Sequence, residues 1–382
     1  MRILYDHQIF AIQDFGGISR CFVELYKNLP RGVDADISLK ESDNAYIREL
    51  RVPEVRPKKE GINHFICRRP FPGKWHLYEW YNKLWKRKER PDYNLKHSIE
   101  ALKKGNFDVF HPTFFGGYFL PYLNGKPFVL TIHDMTPELY PQQYAEDDFQ
   151  IIMKRKLAPL ASAIIAVSEN TKQDIIRLLN IPEKKVHVVY HGSSLPIPAT
   201  SHPPFHFPYI LFVGSRQGYK NFVTFIQEAA PIIKKYPDLH VVCTGLPFDN
   251  DEEQLFLTYG IHQRMVNKWA RTDSELYSLY HHAKCFVYPS EYEGFGIPIL
   301  EAYQANCPVL LNNASCFPEI ARDAAFYFDI HSHHSLAEQL DTILSMNLDT
   351  RKALLTKQCT RLHDFSWQKS AEELTQIYRS LI

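Results

Sequence analysis

The sequence has no excess of charge, no long apolar run and no paired cysteine motif. Its 44 Lys and Arg residues nearly balance 43 Asp and Glu residues, so the chain as a whole has no general attraction for nucleic acid. No apolar run approaches the roughly 18 residues that a membrane-spanning helix needs. The seven cysteines are scattered and never spaced as Cys-x-x-Cys, which argues against a disulfide framework. We therefore expect buried thiols in a reducing cytoplasm.

The length and the first residues indicate how the chain is organised. Residues 1–5 (Met-Arg-Ile-Leu-Tyr) predict a β-strand, so we expect no signal peptide and a cytoplasmic location. With 45% hydrophobic and 23% charged residues, the composition is that of a globular protein. A chain of 382 residues is too long for one ordinary core and fits two domains.

Short apolar runs alternate with helical patterns, which predicts parallel sheets covered by helices. The predicted strands are residues 107–110, 128–132, 163–167, 210–213, 240–243, 285–288 and 309–311. Between the two series, residues 195–208 are rich in proline and have no period, which is typical of a linker. We place the domain boundary in this linker. Residues 368–381 predict a last amphipathic helix.

Residues 288–302, Tyr-Pro-Ser-Glu-Tyr-Glu-Gly-Phe-Gly-Ile-Pro-Ile-Leu-Glu-Ala, place Glu293 and Glu301 around a glycine-rich turn that opens a helix. Gly294 and Gly296 allow a close approach of the backbone to a ligand, and the N–H groups of a helix start favour an anion. Since carboxylates do not bind phosphate, the two glutamates would accept hydrogen bonds from sugar hydroxyls beside it. The motif predicts a nucleotide-sugar site; the alternative is an ordinary turn and helix start.

The pattern Pro-Ser-x-x-Glu-Gly-Phe-Gly-x-Pro-x-x-Glu-Ala resembles the signature of the retaining glycosyltransferases of family 4. The resemblance implies an α/β protein with the GT-B fold: two Rossmann-like domains whose parallel sheets face a central cleft. It implies an acceptor domain at residues 1–198, with residues 366–382 packing back onto it, and a nucleotide-sugar donor domain at residues 199–365. It also implies transfer of a hexose to a sugar or polyprenyl-diphosphate-linked acceptor in polysaccharide or lipopolysaccharide synthesis.

The turn after the strand at 210–213 contains two cations, Arg216 and Lys220, beside Gly214. A diphosphate leaving group gains charge as its glycosidic bond breaks, and fixed cations stabilise that charge most in the transition state. The family also has an arginine and a lysine here for this purpose. A solvated basic loop is the alternative. The residues Gly-Tyr-Lys-Asn around Lys220 are similar to those of members that use GDP-mannose or related GDP-sugars.

His133 follows the strand at 128–132 and is therefore at the edge where open parallel sheets bind ligands. A buried core histidine is the alternative. Asp134 or a backbone carbonyl could fix the tautomer of His133. The family resemblance implies that His133 contacts the transferred sugar near the reacting centre.

Near the N-terminus, Gly16 and Gly17 follow the first strand and open a helix. The resemblance implies that this loop approaches the diphosphate, although an ordinary loop would show the same pattern. Ser168 and His191 also follow strands at the same edge, and we assign no specific contact to His191 or Ser194.

The expected donor-binding set combines these loops with the backbone around the base. Its members are Gly16, Gly17, Gly214, Arg216, Lys220, Val266, Glu293, Gly294, Phe295, Gly296, Ile297 and Glu301. We expect His133, Arg216, Lys220 and Glu293 to act in catalysis.

We expect neither a metal nor a cofactor. Asp249 and Asp251 form an acidic pair, but their surroundings are typical of a solvated loop, and Arg216 with Lys220 can replace a magnesium ion. No placed base or nucleophilic carboxylate stands out. The resemblance implies front-face transfer with retention, in which the departing phosphate oxygen takes the acceptor's proton.

Residues 51–104 contain 15 Lys or Arg and 6 Asp or Glu, together with Trp75, Trp80 and Trp85. Such a segment could contact an anionic membrane at its inner face or form a solvated helix face with packed aromatics. Two other functions remain open: a nucleotide-sugar epimerase of the same fold and a nonenzymatic nucleotide-sugar-binding protein.

Overall fold

The computed structural model describes residues 1–52, 54–58, 92–145 and 147–382. The tryptophans of the basic segment and Cys67 lie outside the described residues. Contacts divide the chain into two compact units. The first contains Met1–Thr131, Lys156–Ile164 and Leu374–Ile382, and the second contains Ile132–Arg155 and Ile165–Glu373. The predicted domain boundary after residue 198 stays a prediction.

The strands and helices alternate along the chain. The strands are β1 Arg2–Tyr5, β2 Asp34–Ile37, β3 Val109–His111, β4 Val129–Ile132, β5 Ala163–Ala166, β6 Val186–Val188, β7 Tyr209–Phe212, β8 His240–Cys243, β9 Met265–Asn267, β10 Cys285–Tyr288, β11 Val309–Asn312 and β12 Phe326–Phe328. The helices are α1 Gln8–Ile12, α2 Gly17–Lys27, α3 Ala45–Leu50, α4 Tyr93–Lys104, α5 Thr136–Leu139, α6 Phe149–Leu157, α7 Glu169–Leu179, α8 Phe222–Lys235, α9 Asn250–Thr258, α10 Asp273–His282, α11 Ile297–Gln304, α12 Phe317–Ala321, α13 Ser335–Ser345, α14 Leu348–Leu362 and α15 Trp367–Arg379.

The strands form three sheets, of order β2-β1-β3, β4-β5-β6 and β12-β11-β10-β7-β8-β9. β1 pairs in parallel with both β2 and β3. The pairs of the six-stranded sheet are parallel as well. Continuous apolar strands such as β4 (Val-Leu-Thr-Ile), buried throughout, are typical of parallel sheets with both faces covered. The α/β class with parallel sheets is confirmed.

The last helix belongs partly to the first unit, which contains Leu374–Ile382. Within that unit the Tyr378 hydroxyl is 3.2 Å from the Tyr5 hydroxyl and 2.5 Å from Nδ1 of His111. All three side chains are buried. These bonds hold the end of α15 against strands β1 and β3. The C-terminal helix therefore returns to the N-terminal domain, as predicted.

The six-stranded sheet has its topological switch point between β7 and β10. From β7 the chain proceeds outward through β8 and β9, and from β10 it proceeds the other way through β11 and β12. Side chains alternate between the two faces: Leu211 and Phe286 pack in one core cluster, and Ile210 and Val287 in the other. Open α/β sheets bind ligands beyond the carboxyl ends of strands at such a point. The loops after β7 and β10 are therefore the place to look for a site.

One expectation from the sequence needs qualification. Five described cysteines are buried as expected, but Cys359 is exposed. Among the described residues, no helix combines the length and the apolarity needed to cross a bilayer.

Candidate active site

The loops after β7 and β10 meet in an ion pair between Lys220 and Glu293. Lys220 Nζ lies 2.5 Å from Glu293 Oε1, and the two side chains are 17% and 14% exposed. Lys220 ends a short 3-10 helix, Gly218–Lys220, and Glu293 follows the end of β10 by five residues. The adjacent strands β7 and β10 account for this meeting, because their carboxyl ends share one edge. The structure thus brings together two residues predicted separately.

Aromatic rings surround the Lys220 ammonium. Its Nζ lies 5.0 Å from the centre of the Tyr219 ring and 5.9 Å from that of Tyr288, within the range of cation–π attraction. Burial, followed by the charge and hydrogen bond of Glu293, raises the Tyr288 pKa well above its usual value. Tyr288 therefore stays a neutral hydrogen-bond donor to Glu293.

Ser315 holds the backbone of Glu293 in place through two hydrogen bonds. The Ser315 hydroxyl donates to the Glu293 carbonyl at 2.8 Å and accepts from the Glu293 N–H at 3.2 Å. Ser315 itself has a φ of 53°, in the left-handed region that is uncommon for a serine. No sequence pattern pointed to Ser315, because it lies 22 residues from Glu293.

Gly294 has no room for a side chain. A Cβ atom there would lie 1.8 Å from the His133 carbonyl oxygen and 3.3 Å from Cβ of Asp134. The Gly294 carbonyl accepts hydrogen bonds from the hydroxyls of Ser168 at 2.6 Å and Thr171 at 3.1 Å. The close backbone approach expected at Gly294 therefore occurs, but to the chain at His133. The expectation that it faces a ligand stays a prediction.

Gly296 and Glu301 belong to the helix that follows. Gly296 has a φ of 89° and caps α11, and Pro298 lies in its first turn, so the glycine-rich turn opens a helix. Glu301 is 8% exposed, and the Tyr280 hydroxyl donates to its Oε2 at 3.2 Å. Burial and the neighbouring Glu301 raise the pKa of Tyr280 well above the usual value. Glu301 is thus an oriented, shielded acceptor.

Three other members of the predicted donor-binding set pack in or against one cluster of the hydrophobic core: Phe295, Ile297 and Val266. Phe295 is buried and packs edge-on against His191, with ring centres 5.0 Å apart. Ile297 and Val266 are partly buried against the same core cluster. Val266 lies in β9, opposite Val242 of β8. Their predicted contacts with a donor stay predictions.

Arg216 forms a paired contact with Glu252 of α9. Its Nε lies 2.5 Å from Oε1 and its Nη2 lies 3.0 Å from Oε2 of that glutamate. Nη2 also donates to the carbonyls of Leu246 and Pro247. Burial opposes the Arg216 charge, but the hydrogen bond and charge of Glu252 outweigh it and raise the guanidinium pKa. Gly214, two residues earlier, has a φ of 122°, which favours glycine at this turn.

The acidic run at 249–253 is the start of a helix, not a solvated loop. The Asp249 side chain accepts from the Glu252 N–H at 2.9 Å, and the Glu252 side chain accepts from the Asp249 N–H at 2.9 Å. This is a capping box at the start of α9. The Asp-x-x-Glu spacing before an apolar run was the signal that could have revealed both the helix and the position of Glu252.

His133 follows β4 as predicted, and its Nε2 is shielded from solvent. Burial lowers its pKa to about 4, against the opposing charge of Asp134. Its ring centre lies 5.7 Å from that of His191, whose pKa burial also lowers well below the usual value. Asp134 Oδ1 accepts from the Thr136 N–H at 3.0 Å. The imidazole is therefore neutral near pH 7 and can act as a hydrogen-bonding group without bringing charge.

Gly16 and Gly17 begin α2 in the first unit. Gly16 precedes the helix and Gly17 is its first residue. The side chain of Gln13 accepts from the Ser19 N–H at 3.2 Å, so this helix start already has an acceptor. The predicted contact with a diphosphate stays a prediction.

Comparison with known proteins agrees with this architecture. Residues 15–195 match the family model "Glycosyltransferase Family 4", and residues 201–358 match "Glycosyl transferases group 1". The chain is 25% identical to O-antigen chain mannosyltransferase B of Escherichia coli, over 96% of each chain. It is 26% identical to O-antigen chain mannosyltransferase RfbU of Salmonella typhimurium over 52% of this chain and 55% of that protein.

A solved structure has the same fold. Anabaena HepE, crystallised with UDP and glucose, superposes with a TM-score of 0.71 over the full length of both chains at 16% identity. The GT-B fold is thereby confirmed. The two glycosyltransferase family models together match most of the chain, and the chain belongs to glycosyltransferase family 4.

Proposed function

We propose that this glycosyltransferase moves a mannose from GDP-mannose to a sugar or lipid-linked oligosaccharide during synthesis of a surface polysaccharide. The anomeric configuration is retained and no metal is required. The similarity to two O-antigen mannosyltransferases supports the sugar and the pathway class, and the complex of HepE with UDP and glucose supports a nucleotide-sugar donor.

The observation on which this proposal rests is the Lys220–Glu293 pair at the switch point of the six-stranded sheet. A donor diphosphate at Lys220 would compete with Glu293 for the ammonium. Glu293 would then accept hydrogen bonds from hydroxyls of the transferred sugar, while Tyr288 and Ser315 keep it in place. Glu301, held by Tyr280, would accept from the ribose.

The transfer step requires that charge be stabilised on the departing phosphate. The bond between the anomeric carbon and the phosphate oxygen breaks, and the acceptor oxygen bonds to the same face of that carbon. The acceptor's proton passes to the departing phosphate oxygen. Lys220 stabilises the developing negative charge, and so does Arg216 through Nη1, which has no hydrogen-bond partner among the described residues. Neutral His133 positions the sugar.

A panel of nucleotide sugars tests the donor. GDP-mannose should raise the unfolding temperature more than UDP-glucose or UDP-mannose does, because a ligand at 100 times its Kd adds about 2.7 kcal/mol of stability. Product analysis with and without an acceptor then separates transfer from isomerisation and from binding alone. Stabilisation by UDP-sugars only would contradict the proposed base, and isomerised donor without transfer would contradict the reaction.

A further inference from the structure

The buried ammonium group of Lys154 contacts the backbone directly after His133. Lys154, in α6, is 1% exposed, and its Nζ lies 2.7 Å from Oε2 of Glu138, which is 3% exposed. Nζ also donates to the carbonyl oxygen of Asp134 at 3.2 Å. Lys154 therefore connects α6 both to α5 and to the residue directly after His133.

The same short segment is fixed from other sides. The Met135 N–H donates to the Tyr292 hydroxyl at 3.2 Å, and that hydroxyl donates to Oδ2 of Asp174 at 3.0 Å. The His133 carbonyl packs against Gly294 with no space for a side chain between them. The Asp134 carbonyl also accepts a hydrogen bond from Lys154. Backbone contacts therefore hold three successive residues, His133, Asp134 and Met135, in place.

Stability alone does not account for this ion pair. Removing two charges from water is costly, and well-packed apolar side chains often serve a core as well or better. The pair is also incompletely satisfied, since Glu138 Oε1 is buried and accepts no hydrogen bond from any described residue. Two apolar side chains in place of Lys154 and Glu138 would fill the same space. They could not donate a hydrogen bond to the Asp134 carbonyl, as the Lys154 ammonium does. The feature that only Lys154 supplies is thus a fixed backbone orientation next to His133.

We propose that Lys154, held in place by Glu138, is a positioning residue that sets the orientation of His133 toward the transferred sugar. This inference rests on the proposed role of His133 in transfer. Lys154 does not contact the substrate; it acts through the Asp134 carbonyl. Misplacement of a positioning group by about 1 Å can lower a rate by about a hundredfold.

A double-mutant cycle tests the proposal. Lys154→Met alone leaves the Glu138 charge buried without a partner and can unfold the protein, so the main variant is Lys154→Met/Glu138→Leu, which replaces both charges. Turnover, donor Kd and unfolding temperature are measured for this variant, for His133→Ala and for the triple variant. Lys235→Met/Asp341→Leu, which removes an exposed ion pair of the same unit, is the matched control.

The double variant should fold, bind the donor nucleotide within about twofold of wild type and lose about tenfold to a hundredfold in turnover. In the His133→Ala background the same change should have little further effect, because the group it positions is gone. Full turnover in the folded double variant, or an equal loss in both backgrounds, would overturn the positioning role. Wild-type turnover in His133→Ala would instead overturn the proposed role of His133 itself.

Discussion

Lys220 Nζ and Glu293 Oε1 lie 2.5 Å apart, so the cation predicted to stabilise the leaving group and the carboxylate predicted to hold the sugar form one ion pair. Each side chain positions the other before a donor arrives. Preorganised charge of this kind contributes to catalysis because it needs no rearrangement during the reaction.

Lys220→Ala and Arg216→Ala should each lower turnover by about a hundredfold, since each removes a charge that acts on the departing phosphate. Steady-state kinetics on the folded variants measures the effect. Lys235→Ala, at an exposed pair, is the control and should leave turnover unchanged. Normal turnover in both site variants would remove cationic stabilisation from the mechanism.

Glu293→Gln and Glu301→Gln should have different effects, because the two carboxylates are assigned to different parts of the donor. Glu301→Gln should weaken binding of the bare nucleoside diphosphate, whereas Glu293→Gln should leave that binding intact and slow transfer. Calorimetry with GDP, followed by kinetics with the full donor, separates these effects. Equal losses of GDP affinity in the two variants are incompatible with the split assignment.

Gly294→Ala should destabilise the protein by about 1 to 3 kcal/mol or more, the usual cost of overpacking, because the new Cβ would lie 1.8 Å from the His133 carbonyl. Turnover should fall as well, since the His133 segment must shift. Urea denaturation gives the stability change. Gly17→Ala is the matched control, since a Cβ at Gly17 has no neighbour within 4 Å; equal stability of the two variants would argue against the close approach.

Stability should depend on pH through His133. Its folded-state pKa of about 4 lies below the ordinary 6.5, so between these values the unfolded chain binds a proton that the folded chain does not. Stability is therefore fully present above pH 6.5 and is lost as the pH falls toward 4, by at most about 3 kcal/mol.

Urea denaturation of wild type and His133→Gln over this pH range measures the contribution of His133, including its effect on the pKa of the neighbouring His191. The difference in unfolding free energy between them should shift in favour of His133→Gln as the pH falls. A difference that does not change with pH would mean that His133 is not held neutral by burial.

Much of the donor-side architecture could be predicted from the sequence. Strands β8 and β10 have the predicted bounds, and most of the other strands that were predicted differ from their predicted bounds by one residue at one or both ends. The short edge strands β9 and β12 were not predicted, because three residues are too few to show a regular pattern of apolar and polar residues. The start of α11, which Gly296 and Pro298 mark, and the bounds of α15 were also close to prediction.

The side-chain partners of the site could not be predicted in the same way. Glu252 meets Arg216 only because the loop after β8 lies beside the loop after β7, and Ser315 reaches Glu293 from the loop after β11. Such contacts depend on strand order, which a single sequence with alternating apolar runs leaves open. The reason for glycine at Gly294 also became visible only when the fold brought His133 against it.

The most direct test of the account is the anomeric configuration of the product formed with EDTA present. If Lys220, Arg216 and the start of α11 stabilise the leaving group, an α-linked donor should give an α-linked product, and a strong chelator should leave activity unchanged. NMR of the one-bond carbon–proton coupling at the anomeric centre reads the configuration directly. A β-linked product, or activity lost to EDTA and restored by manganese, would contradict retaining, metal-independent transfer.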